Sequence, residues 1–217
     1  MGDNLKQMLE EFVNIVEKWR KVGLIEDRDL SYPEKRCLHS YLQYAMMKAG
    51  ESVGMFPLHE YKARYDEKYP LDPRNYGLKD KKLKRHFKRV DVAFFKGREL
   101  VGISEIITID GAHGCFKTET LAKVEHIWLT PRDSLLHLVK YGKERPEFII
   151  LVVTLPKKSS RIYWRTKIKE IDDDLLSDKS YYKVFKPYWI GTKKELEKAG
   201  TKCSLVIIHE DAIELLA

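Results

Sequence analysis

The spacing of apolar residues predicts two helices in the first quarter of the chain. In residues 4–22 the apolar positions recur every three or four residues, as on one face of a helix: Leu5, Met8, Leu9, Phe12, Val16 and Trp19. A second helix is predicted from the start signal Ser31-Tyr32-Pro33-Glu34 to about Ala49, where Gly50 ends it. Prolines and glycines interrupt residues 51–80, which predicts mostly loop with a short strand near Val53–Phe56.

The pattern changes to strands after the middle of the chain. Residues 88–95 and 100–109 flank a short turn and predict a β-hairpin. Residues 148–155 are almost continuously apolar, as expected of a central strand covered on both faces. The remaining predicted elements are helices over 118–128, 131–142 and 193–199, strands over 161–168 and 203–209, and an aromatic segment over 181–189.

This order of elements predicts one α/β domain over residues 1–217, with a mixed central β-sheet flanked by helices. The 217 residues include 43% hydrophobic and 34% charged residues, which is typical of a globular protein. No apolar run approaches the roughly 20 residues that span a bilayer, so we expect no membrane association. The three cysteines lack disulfide or zinc-finger spacing, which favours a cytoplasmic location. Few amides beside abundant Lys and Glu are typical of thermophile proteins.

The net charge of +7 indicates a polyanionic partner. Residues 79–89 read KDKKLKRHFKR, with seven Lys or Arg against one Asp. Nucleic-acid contacts are therefore predicted for five of these cations: Lys82, Lys84, Arg85, Lys88 and Arg89. DNA is the expected partner and RNA remains open beside it. The competing interpretation is a lysine-rich surface that is merely solvated.

Each strand of the predicted hairpin carries one acid in an apolar context, Asp91 in the first and Glu105 in the second. A carboxylate in a buried strand is costly unless it is paired, protonated or bound to a cation. If residues 97–99 form a three-residue turn, Asp91 faces Glu105 and Ala93 opposes Ile103. If Lys96 and Gly97 form a two-residue turn, the acids lie on opposite faces. The competing interpretation is that both acids are half-exposed and paired with Lys88 and Arg89.

With these acids, residues 31–155 resemble the PD-(D/E)xK nuclease superfamily. That family has a helix, a β-hairpin carrying Asp and then Glu-x-Lys, a second helix and a further strand. The resemblance implies a restriction-endonuclease-like core, with helical additions before it and further elements after it. It also implies Asp91 and Glu105 as ligands of Mg²⁺ or Mn²⁺, and Glu34 as the acid that the first core helix contributes.

Ile107 stands where the family has its lysine, two positions after Glu105. An isoleucine can neither activate water nor stabilise charge on a phosphate. We expect Lys123, on the helix that follows the hairpin, to substitute for the missing lysine. Glu34 has a second interpretation, since Ser31-x-x-Glu34 is also a capping box that closes the start of the helix.

The chain lacks GxxxxGK[ST], GxGxxG and GxSxG sequences, which argues against nucleotide-driven motors, dinucleotide enzymes and serine hydrolases. The leading hypothesis is a metal-dependent endo- or exodeoxyribonuclease. The alternatives are a catalytically inactive DNA-binding module on the same fold and a protein-interaction domain. A homodimer remains open beside a monomer.

Overall fold

The protein is built around one mixed sheet of six strands, whose spatial order is the order of the chain. The computed structural model describes residues 2–22, 32–70, 87–108, 132–154, 190–208 and 212–216. The strands are β1 (Phe56–Arg64), β2 (Phe87–Lys96), β3 (Glu99–Thr108), β4 (Phe148–Thr154), β5 (Lys202–Ile208) and β6 (Ile213–Leu216). The helices in these ranges are α1 (Gly2–Lys21), α2 (Tyr32–Ser52), α3 (132–141) and α4 (190–198). The predicted α/β class with a mixed sheet is confirmed.

The sheet combines antiparallel pairing at both ends with parallel pairing in the middle. Strands β1, β2 and β3 form an antiparallel meander, whereas β4 is parallel to β3 and β5 is parallel to β4. Strand β6 returns antiparallel to β5. The parallel step from β3 to β4 requires a crossover, and α3 lies in that connection.

The sheet has an apolar core on each face. Helices α1 and α2 cover one face, where Phe12 and Met46 pack with Ile150 of β4. Helices α3 and α4 cover the other, where Leu135 and Leu196 pack with Leu151. Every residue of β4 is buried, which explains why its sequence is apolar without alternation. Within the described ranges, no helix is long and apolar enough to cross a membrane.

The hairpin turn matches neither of the two alternatives that the sequence left open, but Ala93 pairs with Ile103 as the three-residue alternative requires. Lys96 pairs with Glu99, so the turn is the two residues Gly97 and Arg98, and Gly97 takes a positive φ of 60°. A register shift follows between Phe94 and Phe95. This bulge absorbs one extra residue of β3, so that Ala93 pairs with Ile103 although the turn has only two residues.

Strand β1 corrects the prediction of mostly loop over residues 51–80. Only Pro57 and Ala63 of its nine residues are buried, because β1 is an edge strand with one long side in solvent. Such a strand shows no apolar alternation, and Pro57 is tolerated there because an edge strand has unpaired amides. Strand β6, which ends the sheet on the other side, was not predicted. The predicted helix over 118–128, strand over 161–168 and aromatic segment over 181–189 lie outside the described residues.

Candidate functional site

Asp91 lies where β2 and β3 stop pairing. The last pair of this ladder is Val92 with Ser104, although both strands continue beyond it. The next position on β2 is Asp91, and its Oδ2 accepts a hydrogen bond of 2.6 Å from the backbone N–H of Ile106. The carboxylate therefore takes the place of a strand carbonyl and satisfies a β3 amide that the ladder leaves unpaired.

Glu105 forms a buried ion pair with a lysine from the neighbouring strand. Lys88 Nζ lies 2.8 Å from Glu105 Oε1, and the two side chains are only 8% and 11% exposed. Lys88 and Val90 are two residues apart on β2, so their side chains lie on the same face of the sheet. Val90 packs in the core beneath α3 and α4, which we call the α3-side core. Glu105 lies between Ile103 and Ile107, which both pack in that core, so the pair lies on this face of β2 and β3.

Burial dominates the electrostatics of Glu105. Desolvation raises its pKa to about 7; the nearby Lys88 ammonium opposes that shift, the negative Asp91 adds to it, and His39 opposes it. Oε1 has the close ammonium but no well-aligned hydrogen bond within the described residues. The ionised carboxylate is thus only partly compensated, and a further cation close to it would be stabilised.

Helix α2 brings two polar side chains against Asp91. His39 Nε2 lies 3.4 Å from Asp91 Oδ1, and Gln43 Nε2 lies 3.5 Å from the same oxygen. Residues 39 and 43 are one helical turn apart, so they lie on one face of α2. Burial alone would lower the pKa of His39, but the hydrogen bond and charge of Asp91 outweigh burial and raise it.

Strand β1 contributes a third acid, Glu60. Gln43 Nε2 donates to Glu60 Oε1 over 3.2 Å, and Arg89 Nη1 lies 3.4 Å from Glu60 Oε2. Glu60 has a φ of 52°, in the left-handed region that residues with a Cβ rarely adopt. His59 pairs with Val92 and Tyr61 pairs with Val90, so Glu60 stands opposite Asp91.

The structure pairs two of the residues predicted from sequence, Lys88 and Glu105, and places Asp91 close enough for its charge to raise the pKa of Glu105. Lys88 is buried in the ion pair, unlike the exposed position that the basic run suggested. Arg89 is exposed and pairs with Glu60. Glu34 lies in the first turn of α2, but its side chain is outside the described part. The remaining predicted site residues also lie outside it: Lys82, Lys84, Arg85 and Lys123.

Sequence reasoning missed His39, Gln43 and Glu60. A signal existed for the first two, because His39 and Gln43 are polar residues one helical turn apart, directly beside the apolar Leu38 and Leu42. A buried amide among apolar neighbours needs a polar partner. Nothing in the sequence pointed to Glu60, because its place opposite Asp91 depends on the pairing of an edge strand that the pattern did not predict.

The carboxylates suit a hard divalent cation only in part. Asp91 and Glu105 supply oxygen ligands of the kind that Mg²⁺ and Mn²⁺ prefer. Their closest contacts are separate, however: Asp91 contacts α2 and the Ile106 amide, whereas Glu105 contacts Lys88. Among the residues that the structure describes, no three His, Cys, Asp or Glu side chains form a metal-binding group. A cation here would complete its coordination with water or substrate oxygens.

Comparison of the chain with protein-family models, curated proteins and solved structures found no match. The function of the cluster must therefore be inferred from its own geometry.

Proposed function

We propose that this protein is a metal-dependent nuclease that hydrolyses phosphodiester bonds in DNA. One observation carries the proposal: a buried ammonium and two carboxylates lie at the point where β2 and β3 separate. Phosphodiester hydrolysis needs oxygen ligands for a divalent cation and a positive group that stabilises the charge on the phosphate. The cluster offers both kinds of group within one strand pair.

Lys88 supplies the cation that Ile107 cannot. Ile107 packs its side chain into the α3-side core, where a lysine would be stranded among apolar groups. Lys88 reaches Glu105 from the adjacent strand and is held there by burial and the ion pair. We therefore assign to Lys88 the role that the sequence suggested for Lys123: its ammonium would lie beside the reacting phosphate and stabilise the negative charge that develops there.

The order of elements supports a restriction-endonuclease-like core. Helix α2, the β2–β3 hairpin, α3 and β4 occur in the order that the PD-(D/E)xK resemblance implies, with β1 added between α2 and the hairpin. The acids also stand on the strands where that resemblance requires them, Asp91 on β2 and Glu105 on β3. Helix α1 precedes this core, and α4, β5 and β6 follow it.

Asp91 and Glu105 would hold Mg²⁺ or Mn²⁺. A bound divalent cation supplies Lewis-acid activation of the phosphate and a hydroxide nucleophile near neutral pH. The protein's own residues prepare the site for it. The Ile106 amide and His39 orient Asp91, and burial leaves Glu105 with a carboxylate whose charge is only partly compensated. Glu105 must release its proton before it can act as a ligand.

DNA is favoured as the substrate by the net positive charge of the chain and by the basic run that ends in β2. The net charge is +7, and the run KDKKLKRHFKR ends within β2, at Arg89. Arg89, the last residue of that run, is exposed beside the cluster. Cations close to a hydrolytic centre would hold the phosphate backbone of a strand without regard to its sequence.

Cleavage assays test the proposal. Wild-type protein should cut single-stranded, duplex, branched or flap DNA with Mg²⁺ or Mn²⁺ and not with EDTA. Lys88→Met should reduce the rate at least 100-fold, which is typical for loss of one charge-stabilising group. Lys96→Met, at the exposed end of the same strand, is the matched control and should cut normally. Absence of cleavage by the wild type on every substrate would refute the nuclease proposal.

A second candidate is an inactive DNA-binding module on the same fold. The ion pair itself favours it, because an ammonium 2.8 Å from Glu105 Oε1 already occupies one side of the carboxylate that a metal would need. This candidate predicts DNA binding that weakens steeply with salt, without cleavage. A protein-interaction domain, the third interpretation, predicts neither.

A further inference from the structure

We infer that Gln43, anchored by Glu60, is a positioning residue that fixes the orientation of the Asp91 carboxylate. The inference concerns how the site is held together and goes beyond the nuclease proposal. The mechanistic value of a fixed Asp91 rests on that proposal, but the contacts themselves do not. They join three elements, α2, β1 and β2, around one side-chain amide.

The first step is electrostatic. The pairs His59 with Val92 and Tyr61 with Val90 leave Glu60 and Asp91 at facing positions of β1 and β2, and like charges at such positions destabilise a sheet. The Gln43 amide group carries two N–H donors and lies 3.2 Å from Glu60 Oε1 and 3.5 Å from Asp91 Oδ1. One neutral side chain thus bridges two anions. An apolar residue at this position would leave the two carboxylates facing each other without a shared donor.

The second step concerns which contact is the anchor. A hydrogen bond of 3.5 Å is long, so the approach to Asp91 depends on how firmly the amide is held from its other side. Gln43 is buried, and its shorter bond goes to Glu60, which Arg89 holds in turn. A chain of contacts therefore runs from Arg89 through Glu60 and Gln43 to Asp91.

The third step is the backbone of Glu60. Its φ of 52° costs free energy for any residue with a Cβ. The pairs on either side of it, His59 with Val92 and Tyr61 with Val90, keep one register, so no inserted residue accounts for this conformation. The contacts that the conformation makes available are those to Gln43 and Arg89. Because the strand pairing around Glu60 is regular and its side chain contacts the polar cluster, we attribute its strained φ to those contacts.

The backbone N–H of Ile106 reports on the orientation of Asp91, because its bond is made to Asp91 Oδ2. Hydrogen exchange at this amide, measured by NMR without metal, is therefore the direct test. Gln43→Leu should accelerate exchange at Ile106 roughly tenfold relative to the amides of β4. Gln7→Leu, at the exposed position of the only other glutamine, should leave it unchanged.

Two variants at Glu60 separate positioning from packing. Glu60→Gln keeps an acceptor for the Gln43 amide and should preserve slow exchange at Ile106. Glu60→Ala removes the acceptor and should accelerate exchange at least threefold. It changes an exposed residue of an edge strand, so it still answers the question if Gln43→Leu does not fold. Exchange at Ile106 that stays within twofold of wild type in both Gln43→Leu and Glu60→Ala would overturn the inference.

Mn²⁺ binding distinguishes failure of this inference from failure of the nuclease proposal. If the wild type binds Mn²⁺, Gln43→Leu should weaken the affinity about tenfold, as loss of a residue that orients a ligand does. An unchanged affinity would count against the positioning role even if exchange responded. If the wild type binds no Mn²⁺, the metal proposal fails, and the exchange results at Ile106 decide the positioning role by themselves.

Discussion

The two sides of β3 are bonded in different ways. Toward β4 it forms a parallel ladder without interruption from Gly102 to Thr108. Toward β2 the ladder ends at Ser104, and beyond that point side chains replace the backbone. The Asp91 carboxylate accepts from Ile106, and Lys88 pairs with Glu105. Strand β3 therefore has a regular backbone ladder among apolar residues on its β4 edge. On its β2 edge the last contacts are made by polar side chains.

We interpret this difference as a division of roles, in which the β4 edge of β3 stabilises the fold and the β2 edge carries the proposed chemistry. A ladder among buried apolar strands satisfies every backbone group and leaves nothing available to a ligand. Where β2 and β3 diverge, the protein instead retains a buried ion pair, which hydrophobic residues of similar volume often replace without loss of stability. A buried ion pair of this kind is the sort of group that the proposed chemistry would require at this place.

The largest effect is expected from removing the ammonium. Lys88→Met leaves Glu105 buried without its partner, and breaking a buried pair in this way costs about 3 to 5 kcal/mol. We expect that loss in the free energy of unfolding at pH 8, measured by urea denaturation. The loss should be smaller at pH 5, where Glu105 is protonated. The control Lys96→Met should stay within about 0.5 kcal/mol of wild type.

The double variant Lys88→Met/Glu105→Leu extends the same comparison. It makes the β2 side of β3 apolar, like the β4 side, and should recover most of the stability that Lys88→Met alone loses. A double variant no more stable than Lys88→Met would show that the pair stabilises the fold, and that the contrast between the two sides of β3 is not functional.

The next effect is on the pH dependence of stability. The pKa of Glu105 is raised from 4.5 to about 7 in the folded protein, so the folded state binds this proton more tightly than the unfolded state. Stability from this group is therefore full below about pH 4.5 and falls as pH rises toward 7, by roughly 3 kcal/mol. The measurement is the wild-type profile minus that of Glu105→Gln, which cancels the other titrating groups. A flat difference would contradict the buried state of Glu105.

The smallest effect concerns the strained backbone of β1. Glu60→Gly and Glu60→Ala both remove the carboxylate, but only glycine adopts a φ of 52° without steric cost. Glu60→Gly should therefore be more stable than Glu60→Ala by about 1 kcal/mol in thermal or urea unfolding. Equal stabilities would mean that the left-handed conformation at Glu60 is not maintained.

Sequence patterns predicted the elements with strong periodicity and missed those whose pattern depends on tertiary context. Helix α1, the hairpin and β4 follow from their spacing, whereas β1 does not, because an edge strand needs no apolar alternation. Asp91 and Glu105 were identifiable as acids in apolar strands. The pairing of Lys88 with Glu105 was considered only as an alternative, and its burial was not foreseen, because the basic run around it resembles a solvated surface.

Mn²⁺ titration of the purified protein tests the central claim most directly. We predict that the wild type binds Mn²⁺ at pH 8, and that Asp91→Asn and Glu105→Gln each weaken binding at least tenfold. Two acids outside the cluster provide matched controls, Asp133→Asn and Glu99→Gln, which should bind as the wild type does. Affinity should also decrease from pH 8 to pH 6, as Glu105 takes up its proton. No binding by the wild type, or binding that survives both cluster substitutions, would contradict the assignment of Asp91 and Glu105 as a metal site.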